Sequence, residues 1–352
     1  MSSGFGRKFS VRLFGEDASD SIGFVIEGIA PNTRIDLHEI RMQLERARAM
    51  KSISCDGGAG ELCRVLSGYA GGFAVGTPLA VIIENTPESP AAKTGVLRPS
   101  TEDLGALFKY EKHAAAAAGH FGGRLLCAIT AAGSIAKQIL FNDYGICVGG
   151  HIYSAGRVKD QSMSASDIDP QMLFELSRSE LPLINKSIKS EIKDEIARAR
   201  ADEDTLGGEV ECAASGLPAG IGAPLFEGIK SRIAQIVLSI PYVVGMDFGT
   251  GFDMCRLTGG RANDLLYTAG GRIRKQTNND GGISGHFSDG EPVVVRVGFR
   301  PDPGVAKRIK TVDASKMEMV EFVPQQGDAC VALSSLAAVE AAIAIALLDI
   351  VM

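Results

Sequence analysis

The chain has 352 residues, 45% of them apolar and 22% charged, with a formal net charge of -6 at neutral pH. This length allows one large or two ordinary domains around a continuous core. The acidic balance excludes a nucleic-acid groove, which needs a net basic face to displace counterions. Seven cysteines, scattered from Cys55 to Cys330 with no Cys-x-x-Cys pair, read as reduced thiols of a cytoplasmic protein and not as disulfides or a zinc site.

Met1 to Ser10 carry basic residues with no apolar run behind them, so no secretory leader is expected. Phe9 to Phe14 predicts a strand, the turn Phe14-Gly15-Glu16-Asp17-Ala18 follows, and Gly23 to Glu27 predicts a second strand. Asp36-x-x-Glu39 has the form of a capping box, and Leu37, Ile40 and Leu44 then share one face of a helix. That helix ends in Arg46 and Arg48, which suit its dipole and point a basic tip at the next loop.

The loop from Met50 to Gly60 is glycine-rich and almost uncharged, and Pro78 to Asn85 predicts another strand before a linker to Arg98. Five alanines, Ala114 to Ala118, lead into Gly119-His120-Phe121-Gly122-Gly123-Arg124 and a long apolar helix through Leu140. Ile188, Ile192 and Ile196 mark one face of a half-exposed surface helix over 186–200. Glu209 to Ala214, Gly251 to Leu257 and Val293 to Phe299 read as strands. Val331 to Met352 has the length of a membrane span, but Glu340 and Asp349 interrupt it. The cost of carboxylates in hydrocarbon makes it a buried or subunit-packing helix.

No composition break or short repeat divides residues 1–352, which are read as a single domain. Strands and helices without regular βαβ alternation favour an α+β or layered sandwich class. The densest chemistry lies in Thr277-Asn278-Asn279-Asp280-Gly281-Gly282-Ile283-Ser284-Gly285-His286-Phe287-Ser288-Asp289-Gly290, preceded by Arg272, Arg274 and Lys275. Glycines there allow backbone N–H groups to approach a phosphate or flavin, and side-chain amides can fix ring edges. Composition alone equally admits a tight hairpin. No Gly-x-Gly-x-x-Gly follows a strand, so no nicotinamide site is expected.

In register, these segments resemble chorismate synthases. The turn at 14–18 stands where that family has Phe-Gly-Glu-Ser-His-Gly, and Asn278 to Gly290 stands in its Asn-Asn-x-Gly-Gly-x-x-Gly-Gly-x-Ser/Thr-Asn-Gly loop. Asp204-Thr205-Leu206-Gly207-Gly208 with Gly216 to Gly222 is similar to another family segment. Ser239-Ile240-Pro241, with Gly245-Met246-Asp247-Phe248-Gly249-Thr250-Gly251-Phe252, is similar to Ser-Ile-x-Ala-x-Lys-Gly-Val-Glu-Phe-Gly-x-Gly-Phe. The resemblance implies a β-α-β sandwich of two antiparallel sheets with surrounding helices, assembled as a homotetramer. It implies a lyase of the shikimate pathway that uses reduced FMN as a transient electron donor to eliminate phosphate from 5-enolpyruvylshikimate 3-phosphate, giving chorismate. It implies neither a metal nor a membrane or nucleic-acid partner.

Residue by residue, the resemblance puts Ala18 and Thr101 where the family has two functional histidines. Asp328, Arg98 and His120 are the catalytic candidates it leaves, with His286 as a further histidine. It assigns cofactor contacts to Asn278, Asn279, Gly281, Gly282, Arg300, Gly122 and Gly123, and substrate contacts to Arg46, Arg48, Arg98 and Arg124. Lys51 and Arg64 are the nearest cations to compensate for the neutral loop. Gln326-Gly327-Asp328-Ala329 stands for Arg-His/Ser-Asp-Pro, while Arg300 and Gly304 stand for a lysine and a threonine. Such losses leave a second reading: a paralogue with a changed substrate, or a non-catalytic flavin- or metabolite-binding subunit.

Overall fold

Ile22, Phe24 and Ile26 turn inward from one strand, and Leu79, Val81 and Ile83 from its neighbour, giving the two-residue period of a sheet with one face on the core. In the computed structural model, which describes residues 3–17, 19–54, 63–84, 95–114, 119–165 and 168–352, these belong to a five-stranded antiparallel sheet. Its strands are β1 (Gly4–Phe5), β2 (Ser10–Phe14), β3 (Ser21–Glu27), β4 (Cys63–Ser67) and β5 (Leu79–Glu84), in the order β1-β2-β3-β5-β4. A second antiparallel sheet of five contains β6 (Cys147–Ala155), β7 (Val158–Lys159), β8 (Gly208–Ser215), β9 (Val243–Phe248) and β10 (Val293–Phe299), in the order β9-β10-β8-β6-β7. Position 18, the loop over 55–60 and alanines 115–118 lie outside the described residues.

Helices fill the space between the sheets. α1 (Leu37–Ser54), α3 (Leu125–Tyr144), α6 (Ile229–Val237) and α7 (Val331–Val351) pack on one another, with α3 against β2 and β3, and α7 against β6 and β8. Gly133 of α3 lies directly on Ala341 of α7, where a Cβ would come within 2.2 Å of the alanine methyl. Small residues thus set the helix spacing, which is why the alanine-rich α7 is a core element. The apolar window of α7 is 94% buried inside the protein. The remaining helices, α2 (Asp103–Tyr110), α4 (Pro170–Leu176) and α5 (Lys189–Ala201), lie outside this layer. The architecture is the expected β-α-β sandwich of α+β class.

Local signals explain several boundaries. Asp169 accepts the Met172 N–H and Pro170 opens α4, the pairing of N-cap and N1 residues that starts a helix. Gly145, at φ 68, ends α3 by donating to carbonyls one turn back. The capping box is only half made: Asp36 accepts the His38 N–H, but its own N–H goes to Gln138 and Glu39 pairs with Arg178. Residues Gly251–Arg256 form a 3-10 helix instead of the expected strand. Gly249 and Gly251 have φ of 60 and 63, which breaks the extended chain, and Asp247 takes the Phe252 N–H.

Buried charge organises the interior. Glu340, fully buried in α7, receives both ends of the Arg46 guanidinium at 2.9 Å and Lys137 at 2.8 Å, so one carboxylate joins α1, α3 and α7. Burial would raise its pKa, but the two cations hold it below the ordinary value. Across the second sheet, His151 of β6 lies between Asp160 at 3.1 Å and Glu211 of β8 at 3.2 Å, and Arg296 of β10 reaches Glu211 at 2.9 Å. Burial lowers the imidazole pKa, yet its bonds to Asp160 and Glu211 prevail and raise it above 6.5.

Two outcomes follow. Arg46→Ala strands a buried carboxylate and is expected to cost about 3 to 5 kcal/mol in urea unfolding. Because folding raises the His151 pKa, its contribution is full below about pH 6.5 and lost as pH rises through the folded value. The urea midpoint should therefore fall as pH rises above about 6.5 through the folded value, and His151→Gln should flatten that slope.

Candidate active site

Asp328 stands just ahead of α7, where its Oδ1 accepts the Cys330 N–H at 3.0 Å. Its own N–H donates to Asp302 at 3.2 Å, and Asp302 also accepts the Gly304 N–H at 2.7 Å. Arg300 directly follows β10; its N–H donates to the Tyr242 carbonyl at 3.0 Å and its guanidinium to the Ser100 carbonyl at 3.4 Å. That contact brings in the loop of Arg98. Arg98 grips Asp103 through two bonds of 2.9 and 2.7 Å and touches Glu102 at 3.5 Å. Hydrogen bonding to Asp103 outweighs desolvation and raises the Arg98 pKa.

For Asp103, burial pushes the pKa up, but the Arg98 bonds hold it below the ordinary carboxylate value. Tyr242 completes this group, lying within electrostatic reach of Asp302, Glu102, Arg98 and Asp328. Thr101 donates to the Arg98 carbonyl at 2.9 Å and accepts the Asp103 N–H at 3.3 Å. Its hydroxyl closes its own turn.

A second group surrounds the turn at 14–17. The His120 Nδ1 lies 2.7 Å from the Gly15 carbonyl and Nε2 lies 2.6 Å from the Ser3 hydroxyl. A carbonyl only accepts, so Nδ1 carries a proton and donates to it. His120 is thereby a clamp on the turn. Asp17 donates its N–H to the Gly119 carbonyl at 3.0 Å, and its carboxylate lies against Gly122, where a Cβ would be 1.9 Å from Oδ2. The carboxylate thus occupies space that a serine would need in the resembling segment. Gly123 has open space where a Cβ would stand, and Arg124 precedes α3. The ring of Phe121 meets Tyr110 at 6.4 Å, so α2 links this turn to Arg98 and Asp103.

The glycine-rich loop is a third, separate group. Asn278 donates to the Pro292 carbonyl at 2.8 Å and accepts the Gly282 N–H at 2.6 Å. Asn279 accepts from Thr250 at 3.1 Å and donates to the Ala262 carbonyl at 3.2 Å. Gly281 and Gly282 have φ of 66 and 74, and a Cβ on them would meet Gly249 and Pro292, each at 2.4 Å. The side-chain amides and small size of these four serve to close the loop. They lie at the opposite end of β10 from Arg300, about 20 Å away at the rise of a strand. Beside them is an open cavity of about 470 Å³ lined by Met254, Leu265, Leu266, Lys275, Asp280 and Ser284. Lys275 is buried and bound to Asp264 and Asp289.

The predicted arginines part in the same way. Arg46 was expected at the substrate, but Glu340, Gln43 and the Ser179 carbonyl occupy its guanidinium in the core. Arg48, Lys51 and Arg64 are exposed. His286 packs on Gly228 ahead of α6, on the glycine-loop side and not beside Arg98. Arg300, a partly exposed cation, has the charge to pair with a flavin phosphate, and Asp328, a partly exposed carboxylate, has the acceptor for a ring N–H. The second Asp328 oxygen has no hydrogen bond among the described residues.

Two antiparallel sheets around a helical layer, with the loops of Arg98, Arg300 and Asp328 linked by hydrogen bonds beyond the end of β10, define a β-α-β sandwich protein with a charged group of side chains at that end. The chorismate synthase family model matches residues 9–352. A chorismate synthase of Thermococcus gammatolerans is 32% identical over 351 residues, spanning 98% of this chain and 96% of the relative. One from Acaryochloris marina is 33% identical over 357 residues, spanning 99% and 96%. A crystal structure of chorismate synthase superposes with a TM-score of 0.77 at 24% identity, covering 98% of this chain and 92% of that one, a likeness of fold. The chain belongs to the chorismate synthase family.

Asp302 was not singled out in the sequence, although the two glycines that make room for it were visible. A Cβ on Gly327 would fall 2.4 Å from the Asp302 carboxylate, and one on Gly304 would fall 3.0 Å from it. The carboxylate fills space that the family's threonine and histidine or serine would need. Gly327→Ala should therefore cost about 1 to 3 kcal/mol by overpacking. Adding Asp302→Ala should recover part of that loss, measured as a coupling in a double-mutant cycle of urea unfolding.

Proposed function

We propose that the protein is a carbon–oxygen lyase that eliminates phosphate from 5-enolpyruvylshikimate 3-phosphate, or a close analogue, to give chorismate in the shikimate pathway. The observation that carries this reading is the linkage of the Arg98 loop to Arg300 through the Ser100 carbonyl, and of Asp328 to the neighbouring Asp302, at family positions, in a chain matched by the family model from 9 to 352. Arg98, held rigidly by Asp103, binds the anionic substrate by charge-assisted bonds worth about 1.5 to 3 kcal/mol each. Arg300 and Asp328 would hold FMN, with Gly122 and Gly123 at its edge. Reduced FMN, when bound, supplies a transient electron that lets the carbon–oxygen bond to phosphate break. The free oxygen of Asp328 takes up the proton released from C6.

Neither Ala18 nor Thr101 protonates the leaving phosphate. Loss of one general acid slows a reaction about 10²- to 10⁴-fold. The exposed apolar side chains Leu266, Tyr267, Ile273 and Phe252 support assembly with further copies, for which the homotetramer of the resemblance is the proposed state, and the dispersed cysteines support the cytoplasm as its place.

The test is anaerobic incubation with chemically reduced FMN and 5-enolpyruvylshikimate 3-phosphate, following phosphate and chorismate. Turnover is expected about 10²- to 10⁴-fold below that of a relative with both histidines. Ala18→His with Thr101→His should raise it, and Asp328→Asn should lower it at least a further 10²-fold. FMN binding without phosphate release would remove this reaction and leave a changed substrate; absence of FMN binding would remove the flavin as well.

A further inference from the structure

Tyr242 stands at the alanine of the family's Ser-Ile-x-Ala segment. It has φ 67, a left-handed conformation that costs about 1 kcal/mol or more in a bulky residue and persists where its surroundings impose it. Two bonds fix the site around it: the Tyr242 carbonyl accepts the Arg300 N–H at 3.0 Å, and the Arg300 guanidinium reaches the Ser100 carbonyl beside Arg98. Its side chain is half-buried and within electrostatic reach of Asp302, Glu102, Arg98 and Asp328. No hydrogen bond of its hydroxyl occurs among the described residues.

Resting on the reading of this cleft as the active site, we propose that Tyr242 contacts the substrate directly, its phenol donating a hydrogen bond to a ligand oxygen between Arg98 and Asp328. The alanine of the family pattern has no such donor. In this chain the half-buried donor stands among Asp302, Glu102, Arg98 and Asp328, in loops that lack the family's histidine at Thr101 and its arginine at Gln326. Burial, followed by the charge of Asp302, pushes the phenol up to about 12, so it remains a donor throughout the neutral range. The ligand it suits presents an oxygen acceptor, as a carboxylate, phosphate or ring hydroxyl does.

The experiment measures calorimetric binding of 5-enolpyruvylshikimate 3-phosphate, with FMN present, to the unaltered protein and to the Tyr242→Phe, Tyr242→Ala and Arg98→Ala variants. Tyr242→Phe keeps the ring and the carbonyl that holds Arg300, so its Tm should match that of the unaltered protein. Its affinity should fall about tenfold or more, the loss of one hydrogen bond to a charged ligand group, and Tyr242→Ala should fall at least as far. If Tyr242→Phe binds as tightly as the parent while Arg98→Ala does not, the inference is overturned and the active-site reading stands. If only Tyr242→Ala weakens binding, the ring merely fills space and the donor role is overturned. If the unaltered protein does not bind this probe, the reading and the inference fall together.

Discussion

The carboxylate of Glu340 is the constraint on which the interior depends. It sits at full burial in the middle of α7, and such a charge is tolerable only while Arg46 and Lys137 remain in contact with it. Those two cations come from α1 and α3, so helix register is set by electrostatics as well as by the close approach of Gly133 to Ala341. Near its other end α7 does the same for the N-terminal sheet. Asp349 accepts the N–H groups of Arg7, Lys8 and Phe9 and pairs with Arg232 of α6. One helix therefore begins at Asp328 and ends by anchoring the strand that leads to the turn at 14–17.

Much of this architecture was legible in the sequence because it rests on periodicity. Apolar alternation placed β2, β3, β5, β8 and β10, and the two carboxylates in α7 marked that helix as internal. The misreadings arise where partners are distant in sequence. Arg46 looks like a free cation until Glu340, 294 residues away, is placed against it. Gly281 and Gly282 read as a ligand cradle, and only the fold shows that Gly249 and Pro292 come too close for any side chain there. Gly251 and Phe252 look like a strand, but two positive-φ glycines turn the chain.

The cleft itself differs from the family pattern by exchange and not simple loss. Cationic or basic positions have become Ala18, Thr101 and Gln326, while Glu102 stands at a family alanine and Asp17 at a family serine. Arg98 answers some of the added negative charge by holding Glu102 and Asp103. The three groups of candidate residues do not converge: the loops of Arg98, Arg300 and Asp328 are linked through Ser100 and Asp302, His120 clamps the neighbouring turn, and Asn278 and Asn279 close a loop at the far end of β10. The separation follows from β10 itself, whose ends carry Arg300 on one side and the glycine-rich loop on the other.

The packing of Asp302 against Gly304 and Gly327 bears on how this cleft came to be and whether it could revert. A threonine or serine returned to either glycine meets the carboxylate already there. Removing the carboxylate first leaves the Gly304 and Asp328 N–H groups without their acceptor. Each single substitution back is therefore expected to be less stable than the state it leaves. The two glycines and the carboxylate thus form one coupled unit, which tolerates exchange only when its members change together.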